Sequence, residues 1–283
     1  MASHEQWTST FLKHLNELRR LSGVERDNPA IQFLNYCAAN LTLTRAQWFQ
    51  DLFVLFMLGN RKDGFFVEFG ACDGVKLSNT LLLERLGWKG ILAEPARCWH
   101  APLRQNRRAI IDTRCVYAET GRVVEFSEAP VKVLSTITTY AQGDTHAKLR
   151  SGAEVYSVET VSLNDLLSDH GAPGTIDYLS VDTEGSELTI LESFDFTKYS
   201  VGIWTVEHNF TESRDKIKRL MKDRGYENVF AALSDMDDWF VRRDLLNGWA
   251  APSSSRKARP AAASRRSTAV TGNRLARSSA TRC

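Results

Sequence analysis

Residues 65–69 form a short apolar run that contains a carboxylate and leads into closely spaced glycines and acids. Such a run has the composition of a buried parallel strand, and Gly70, Asp73 and Gly74 after it favour a tight turn into a helix. Glu94 stands twenty residues beyond Gly74, where a second apolar run ends. A carboxylate at that offset is placed to accept hydrogen bonds from ribose hydroxyls. The spacing predicts a site for an adenosine-containing cofactor rather than a turn without a ligand.

Glu68, inside the first run, indicates which cofactor this is. Dinucleotide-binding turns have the pattern G-x-G-x-x-G, because the pyrophosphate sits at the N-terminus of the helix. Here the pattern is E-x-G-x-x-x-G. A carboxylate at the first position repels a diphosphate but attracts a cation, such as the sulfonium or ammonium group of S-adenosylmethionine (SAM). We therefore expect SAM, and the residues predicted to hold it are Glu68, Gly70, Ala71, Asp73, Gly74, Asn79, Glu94, Tyr117 and Asp182, with Tyr117 beside the adenine.

A second group of carboxylates follows the apolar run at residues 176–181. Asp182, Glu184 and Glu187 lie within six residues of one another. The carboxyl edge of a central parallel strand is where open α/β sheets bind their ligands. Capping of the next helix accounts for Glu187 in part, but it does not explain the other two acids. Asp182 and Glu184 are therefore predicted to face a substrate.

His208 follows a further apolar run, at residues 201–206, and is the predicted general base. An imidazole at this edge is able to remove the proton of a substrate hydroxyl, although a structural polar residue at a strand end has the same signature. Asp182, Glu207 and Asn209 would together also suit Mg²⁺, because all three offer oxygen ligands. A divalent metal is possible here but is not expected.

Short apolar runs alternate with helical segments from residue 65 onward, which predicts a doubly wound parallel sheet in an α/β domain. The last two runs are separated only by the turn-rich residues 231–238, a spacing typical of a hairpin. The expected sheet is therefore mostly parallel, with seven strands and an antiparallel strand near the C-terminus. The strand candidates are residues 65–69, 90–93, 110–117, 176–181, 201–206, 226–230 and 239–242, and the helix candidates are residues 76–86, 97–107, 161–168, 186–193 and 212–224. Residues 123–126 and 155–158 suggest extra strands around a mobile loop, 134–152.

The distribution of charge distinguishes residues 250–283 from the rest of the chain. Residues 250–283 carry eight of the 36 Lys and Arg residues and none of the 34 Asp and Glu residues, so residues 1–249 contain 28 basic and 34 acidic side chains. This acidic body argues against a nucleic-acid partner. The predicted divisions are an N-terminal helical extension at 1–60, a catalytic domain at 61–249 and a disordered basic tail at 250–283.

The arrangement of the cysteines and the hydropathy of the chain predict the cellular compartment. The five cysteines contain no C-x-x-C pair, which favours reduced thiols over a disulfide framework. The longest apolar run, residues 52–58, is too short to span a bilayer. A cytoplasmic protein without a membrane span is expected.

Several motifs in order resemble the FkbM family of SAM-dependent methyltransferases. The matching segments are FVEFGACDG (66–74), LSNT (77–80), GWKGILAEP (87–95) and IDYLSVDTEGSE (176–187), with QWFQDLF (47–53) and DWF (238–240) outside them. The likeness covers about residues 45–243. It implies a class I (Rossmann-like) methyltransferase fold and O-methylation of a hydroxyl on a sugar, a polysaccharide or a secondary metabolite, so the expected partner is a small-molecule or glycan acceptor.

Two other functions are compatible with parts of the sequence. An NAD(P)-dependent oxidoreductase acting on a nucleotide sugar would use the same kind of sheet, but it needs the glycine that Glu68 replaces. A non-catalytic binding module would use the sheet for partner contacts. The two intact sets of carboxylates argue against that second alternative.

Overall fold

A computed structural model describes residues 4–143 and 146–249, with side chains from residue 12 onward. The helices are α1 (His4–Val24), α2 (Pro29–Asn40), α3 (Gln50–Met57), α4 (Leu81–Arg85), α5 (Arg97–Asn106), α6 (Leu163–Asp169), α7 (Glu187–Ser193), α8 (Arg214–Asp223) and α9 (Arg243–Leu246). The strands are β1 (Phe65–Phe69), β2 (Lys89–Ala93), β3 (Ile110–Asp112), β4 (Cys115–Tyr117), β5 (Val123–Glu128), β6 (Thr136–Ile137), β7 (Glu154–Ser162), β8 (Thr175–Val181), β9 (Ser200–Glu207), β10 (Tyr226–Val229) and β11 (Asp237–Arg242). The predicted tail at 250–283 lies outside the described residues.

The chain is a mixed α/β protein built on a large, mostly parallel sheet, as predicted. Its strands lie in the order β10-β11-β9-β8-β1-β2-β3, and β11 runs antiparallel to both of its neighbours. The pairs β1–β2, β1–β8, β2–β3 and β8–β9 are parallel. The carboxyl ends of β1, β2, β8 and β9 therefore meet at one edge of the sheet, where the predicted site residues follow them.

The predicted strand at residues 110–117 is wrong as a single element. Asp112 ends β3, and its carboxylate accepts a hydrogen bond from the Arg114 backbone N–H (2.8 Å) and forms an ion pair with the Arg114 guanidinium (2.6 Å). This turn separates β3 from β4, because a side chain that binds its own backbone two residues on bends the chain. β3 completes the large sheet, whereas β4 belongs to a second sheet of order β4-β7-β5-β6.

The second sheet holds the segment predicted as extra strands around a loop. β5 and β7 pair antiparallel along their length, and β6 pairs with β5. In its described residues, the connection from β5 to β7 contains β6 and three short 3₁₀ helices, Lys132–Leu134, Thr138–Tyr140 and Ala147–Arg150. The second sheet therefore places this connection beside the carboxyl edge of the large sheet.

Apolar side chains pack on both faces of the large sheet, because successive strand residues point to opposite sides. On one face, Val67 packs with side chains of α6, α7 and α8. On the other face, Phe66 packs with α2, α3 and α4. All eight residues of α3 are buried. The predicted extension at 1–60 thus contributes two helices to the core, while its boundary at residue 60 stays a prediction. Within the described residues, none of the helices has both the length and the apolarity that a bilayer span requires.

A buried acid in α3 makes the stability of the protein depend on pH. Asp51 is fully buried, and it accepts a 2.6 Å hydrogen bond from the Thr44 hydroxyl. Burial raises the pKa of Asp51 to about 7 from an ordinary 3.8. The folded state therefore holds this proton more tightly than the unfolded state does. This contribution to stability is present below about pH 4 and is lost as the pH rises through about 7.

We expect the melting temperature to fall between about pH 5 and about pH 8, and to fall less in Asp51→Asn, which has no proton to lose at this position. Calorimetry at several pH values measures this difference. Asp63→Asn is the control, because the Asp63 side chain is 94% exposed. Parallel curves for the wild type and Asp51→Asn would contradict the assignment to Asp51.

Candidate active site

Glu68, near the end of β1, holds the segment that follows the first turn. Its carboxylate accepts hydrogen bonds from the Asn79 backbone N–H (2.8 Å), from the Ser78 hydroxyl (3.2 Å) and from the Thr80 hydroxyl. These contacts are made inside the protein, and Glu68 is buried. The structure therefore gives Glu68 a role in ordering residues 78–80, and its contact with a cofactor stays a prediction.

The helix predicted at residues 76–86 begins only at Leu81, so the sequence prediction is wrong over its first turn. The Asp73 carboxylate accepts hydrogen bonds from the backbone N–H groups of Val75 and Lys76, both at 2.8 Å. Leu77 then adopts a φ of 60°, in the left-handed region that interrupts a right-handed helix. The turn and the Glu68 contacts together delay the helix.

Arg107 compensates the buried charge of Glu68. Its guanidinium lies 3.6 Å from the Glu68 carboxylate and 3.0 Å from the Glu84 carboxylate, and its side chain is fully buried. It also donates to the Gly74 carbonyl at 3.2 Å. A Cβ on Gly74 would lie 2.5 Å from Arg107 Cγ and 2.7 Å from Leu103 Cδ1. Gly74 therefore permits close packing of the turn against α5 and Arg107.

Gly70 and Glu94 connect the turn after β1 to the end of β2. The Gly70 N–H donates to the Ala93 carbonyl (3.1 Å). The Glu94 carboxylate accepts one hydrogen bond on each oxygen, from the Cys72 N–H and from the Ala96 N–H, both at 2.8 Å. Burial raises the pKa of Glu94 to about 7. Each carboxylate oxygen has a further lone pair, so Glu94 is still able to accept hydrogen bonds from a ligand.

Only glycine fits at position 70 without displacing the Asp182 backbone, which follows β8. Gly70 has a φ of 70°, and a Cβ there would lie 2.3 Å from the Asp182 carbonyl oxygen. Gly121 has a similar φ of 80°, but nothing lies within 4 Å of a Cβ added to it. Alanine at position 121 would therefore measure the cost of the left-handed backbone conformation alone. Alanine at position 70 would add the cost of the contact with the Asp182 carbonyl.

We expect Gly121→Ala to reduce the free energy of unfolding by about 1–2 kcal/mol, the cost of a left-handed non-glycine residue. Gly70→Ala should reduce it by clearly more, because the Asp182 backbone has to move as well. Urea denaturation of both variants measures the difference. Equal losses would show that the contact with Asp182 is unimportant.

Three carboxylates come together at the ends of β8 and β9. Candidate ligand oxygens of Asp182, Glu184 and Glu207 all lie within 4.8 Å of one another. Burial raises the pKa of Asp182 to about 7, and burial together with the neighbouring Asp182 carboxylate raises the pKa of Glu207 well above its ordinary value. We call these three residues the acidic triad. The sequence predicted two of its members as site residues, and the third, Glu207, only as a possible support or metal ligand.

Glu184 links the acidic triad to the connection between β5 and β7. It has a φ of 57°, and its carboxylate accepts a 2.8 Å hydrogen bond from the buried Arg150 guanidinium. Arg150 also donates to the carbonyls of Leu134 (2.7 Å) and Ala141 (3.3 Å). This ion pair therefore holds residues 134–143 and 146–150 over the carboxyl edge of the sheet. No sequence motif marks Arg150, because its partner lies 34 residues further along the chain.

His208 does not lie with the acidic triad at the pocket. It is buried, and its ring Nδ1 accepts a hydrogen bond from the Phe210 N–H (3.1 Å). Its Nε2 lies 3.9 Å from the Asp238 carboxylate, which also pairs with Arg214 (2.9 Å). Burial lowers the pKa of His208. Neighbouring residues at the end of a strand point in different directions, so Glu207 takes the place facing the pocket that the sequence analysis gave to His208.

A pocket opens among these loops at the carboxyl edge. The predicted site residues that line it are Glu68, Gly70, Ala71, Asn79, Glu94, Asp182 and Glu184. The remaining predicted residues, Asp73, Gly74, Tyr117 and His208, are not among its lining residues in the described part of the chain. Asp73 and Gly74 belong to the turn after β1 but do not line the pocket. The Tyr117 hydroxyl instead lies 3.3 Å from the Tyr140 hydroxyl.

One wall of the pocket, formed by Trp48, Gln50 and Asp237, was not predicted from the sequence. The Gln50 side chain accepts from the Trp48 N–H (2.9 Å) and donates to the Asp237 carboxylate (2.7 Å). Asp237 lies opposite Glu207 in the β11–β9 pair, which places this wall beside the acidic triad. Burial raises the pKa of Asp237 to about 6. The resembling segment 47–53 contains Trp48 and Gln50, and the resembling segment 238–240 begins one residue after Asp237.

The chain matches the sequence model of the family described as Methyltransferase FkbM domain over residues 68–228. No curated protein matches the chain. The family match covers more than half of the 283 residues and includes β2, β8, β9 and the last two residues of β1, at whose carboxyl ends the pocket lies. This protein therefore belongs to the FkbM family of methyltransferases.

Proposed function

We propose that this protein is a SAM-dependent O-methyltransferase with a class I fold, and that it methylates a hydroxyl of a sugar, a polysaccharide or a secondary metabolite. The observation that carries the proposal is the pocket at the carboxyl edge, where a glycine turn and Glu94 adjoin the acidic triad in a chain of the FkbM family. The order of strands in the large sheet, with its single antiparallel strand β11, supports the class I assignment.

The cofactor would lie over Gly70, Ala71 and Glu94. The backbone at Gly70 has no Cβ to obstruct a ligand, and Glu94 keeps free lone pairs for ribose hydroxyls. Because Arg107 compensates the charge of Glu68, attraction of a positively charged methyl donor falls mainly to Asp182. SAM supplies the methyl group when bound, and the residues of this chain supply orientation and exclusion of water.

The acceptor hydroxyl would lie between the acidic triad and the wall of Trp48, Gln50 and Asp237. The triad carboxylates accept the hydrogen bond of the hydroxyl, orient its oxygen and receive its proton. Trp48 Nε1 is buried and has no hydrogen-bond partner among the described residues, so it is available to donate to an acceptor. An aromatic ring beside polar groups suits a polyhydroxylated ring.

The rates of methyl transfer in variants of Glu207 and His208 distinguish the roles of these two residues. Glu207→Gln keeps the shape of the side chain but loses its charge, and we expect it to lower the rate of methyl transfer about 100-fold while SAM affinity changes less than about threefold. His208→Ala should lower the rate much less, because His208 does not line the pocket. Rates with methyl-labelled SAM and calorimetric affinities measure both effects. A larger loss in His208→Ala would restore the histidine as the base.

Cofactor binding tests the proposal as a whole. Calorimetry of the full chain with SAM, and separately with NADH, should show binding of SAM only. Binding of NADH in preference to SAM would favour the oxidoreductase, and binding of neither would favour a non-catalytic binding module. The Glu68–Arg107 pair lies under the turn, where a dinucleotide-binding fold has its first glycine, and this argues against the dinucleotide.

A further inference from the structure

We propose that the acidic triad, Asp182, Glu184 and Glu207, is a binding site for one divalent cation with oxygen ligands, such as Mg²⁺ or Mn²⁺. In the predictions from the sequence, a metal was an alternative that was not expected, and its ligands were Asp182, Glu207 and Asn209. The cation would lie on the acceptor side of the pocket, and this location is the only part of the inference that rests on the proposed function.

The spacing of the triad fits a single ion. Candidate ligand oxygens of the three residues all lie within 4.8 Å of one another. Opposite ligands of one Mg²⁺ ion, with bonds of about 2.0–2.1 Å, are about 4.0–4.2 Å apart. Small side-chain rotations therefore bring all three carboxylates onto one cation. Both Mg²⁺ and Mn²⁺ prefer carboxylate oxygens, and Mg²⁺ usually keeps further positions for water or substrate.

The charges around the triad are not balanced by the protein. Arg150 pairs with Glu184 at 2.8 Å, but within the described residues no Lys, Arg or His forms an ion pair with Asp182 or Glu207. Carboxylates removed from water without a counter-charge are costly. A divalent cation bound here would supply the missing counter-charge and stabilise the carboxylate forms of both side chains.

A neighbouring amide supplies an independent indication of a ligand. Asn209 is only 7% exposed, and its side-chain Nδ2 lies 3.3 Å from the Glu184 carboxylate, so the amide is directed at the triad. Its Oδ1 has no hydrogen-bond partner within the described chain, and neither has Glu207 Oε2. Buried polar atoms are nearly always satisfied. An amide turned by 180° exchanges its oxygen and nitrogen, so Asn209 Oδ1 is able to join the triad as a fourth oxygen.

A bound cation would also act on the acceptor. The hydroxyl oxygen would fill one of the positions that water otherwise occupies, and the positive charge would stabilise the oxygen as its proton passes to a triad carboxylate oxygen that does not ligate the cation. The triad would then hold the acceptor through the metal.

Binding of Mn²⁺ to the chelator-treated full chain, measured by calorimetry and electron paramagnetic resonance without SAM, tests the proposal. We expect a single site whose affinity falls about tenfold or more in both Asp182→Asn and Glu207→Gln. Asp235→Asn is the matched control, because Asp235 is an exposed acid near the same edge with a left-handed φ of 49° that asparagine tolerates. This control should bind Mn²⁺ as the wild type does.

Mn²⁺ should also raise the melting temperature of the wild type and of Asp235→Asn, but not of the two triad variants. This second measurement identifies a variant that has merely unfolded. Absence of Mn²⁺ binding to the wild type, or equal binding by the triad variants, would overturn the proposal. Because SAM is left out, a chain that binds Mn²⁺ but not SAM contradicts the proposed function alone, and the reverse result contradicts the metal site alone.

Discussion

Replacing Glu94 with alanine is expected to weaken the binding of SAM about 100-fold. Two ribose hydroxyls that donate to a buried carboxylate contribute at least about 1.5 kcal/mol each, and about 3 kcal/mol corresponds to a factor of about 100 in affinity. The variant also removes the acceptor of the Cys72 and Ala96 N–H groups, which loosens the turn over which the cofactor would lie. Calorimetric titration with SAM measures the change.

Asp73→Asn is the matched control for this experiment. Asp73 was predicted from the sequence to hold the cofactor, but it does not line the pocket in the described chain, and its carboxylate accepts two backbone hydrogen bonds that an asparagine side chain also accepts. We expect its SAM affinity to stay within about twofold of the wild type. An unchanged affinity in Glu94→Ala would remove the ribose role, and a large loss in Asp73→Asn would show that the turn residues act directly on the cofactor.

Arg107→Ala is expected to reduce the free energy of unfolding by about 3–5 kcal/mol. The variant leaves the carboxylates of Glu68 and Glu84 without their guanidinium partner, and removal of one member of a buried ion pair has a cost of this size. It also removes the donors to the Thr80 hydroxyl (2.8 Å) and the Gly74 carbonyl (3.2 Å). Urea denaturation measures the loss.

Arg108→Ala provides a neighbouring control with the same change of charge. Arg108 is exposed, and its backbone N–H, rather than its side chain, donates to Glu84 (3.0 Å). We expect this variant to lie within about 0.5 kcal/mol of the wild type. A loss below about 1 kcal/mol in Arg107→Ala would mean that Glu68 and Glu84 do not depend on the guanidinium.

Local patterns predicted those parts of the fold whose cause lies within a few residues. The runs that became β1, β2, β8 and β9 carry their own signal, because a buried parallel strand is almost continuously apolar. The signal fails where a side chain interrupts the backbone. Asp112 splits the predicted strand at 110–117, and Asp73 with Leu77 delays α4, although both runs contain residues compatible with a continuous element.

The site was predicted in part for the same reason. Gly70, Glu94, Asp182 and Glu184 follow apolar runs directly, and all four line the pocket. The choice between Glu207 and His208 depends on which way the chain turns as β9 ends, and two adjacent residues do not encode that direction. His208 has the more reactive side chain, yet it packs near Asp238, away from the pocket.

The sequence by itself determined the family, most strands of the large sheet, and the glycine and carboxylate positions at the ends of β1, β2 and β8. Only the tertiary structure decided which charges are compensated and which face the pocket. The Gln50–Asp237 contact joins residues 187 apart in the chain, and Arg150 reaches Glu184 across 34 residues. The packing of whole helices and loops against the sheet brings such partners together. A short segment of sequence does not predict that packing.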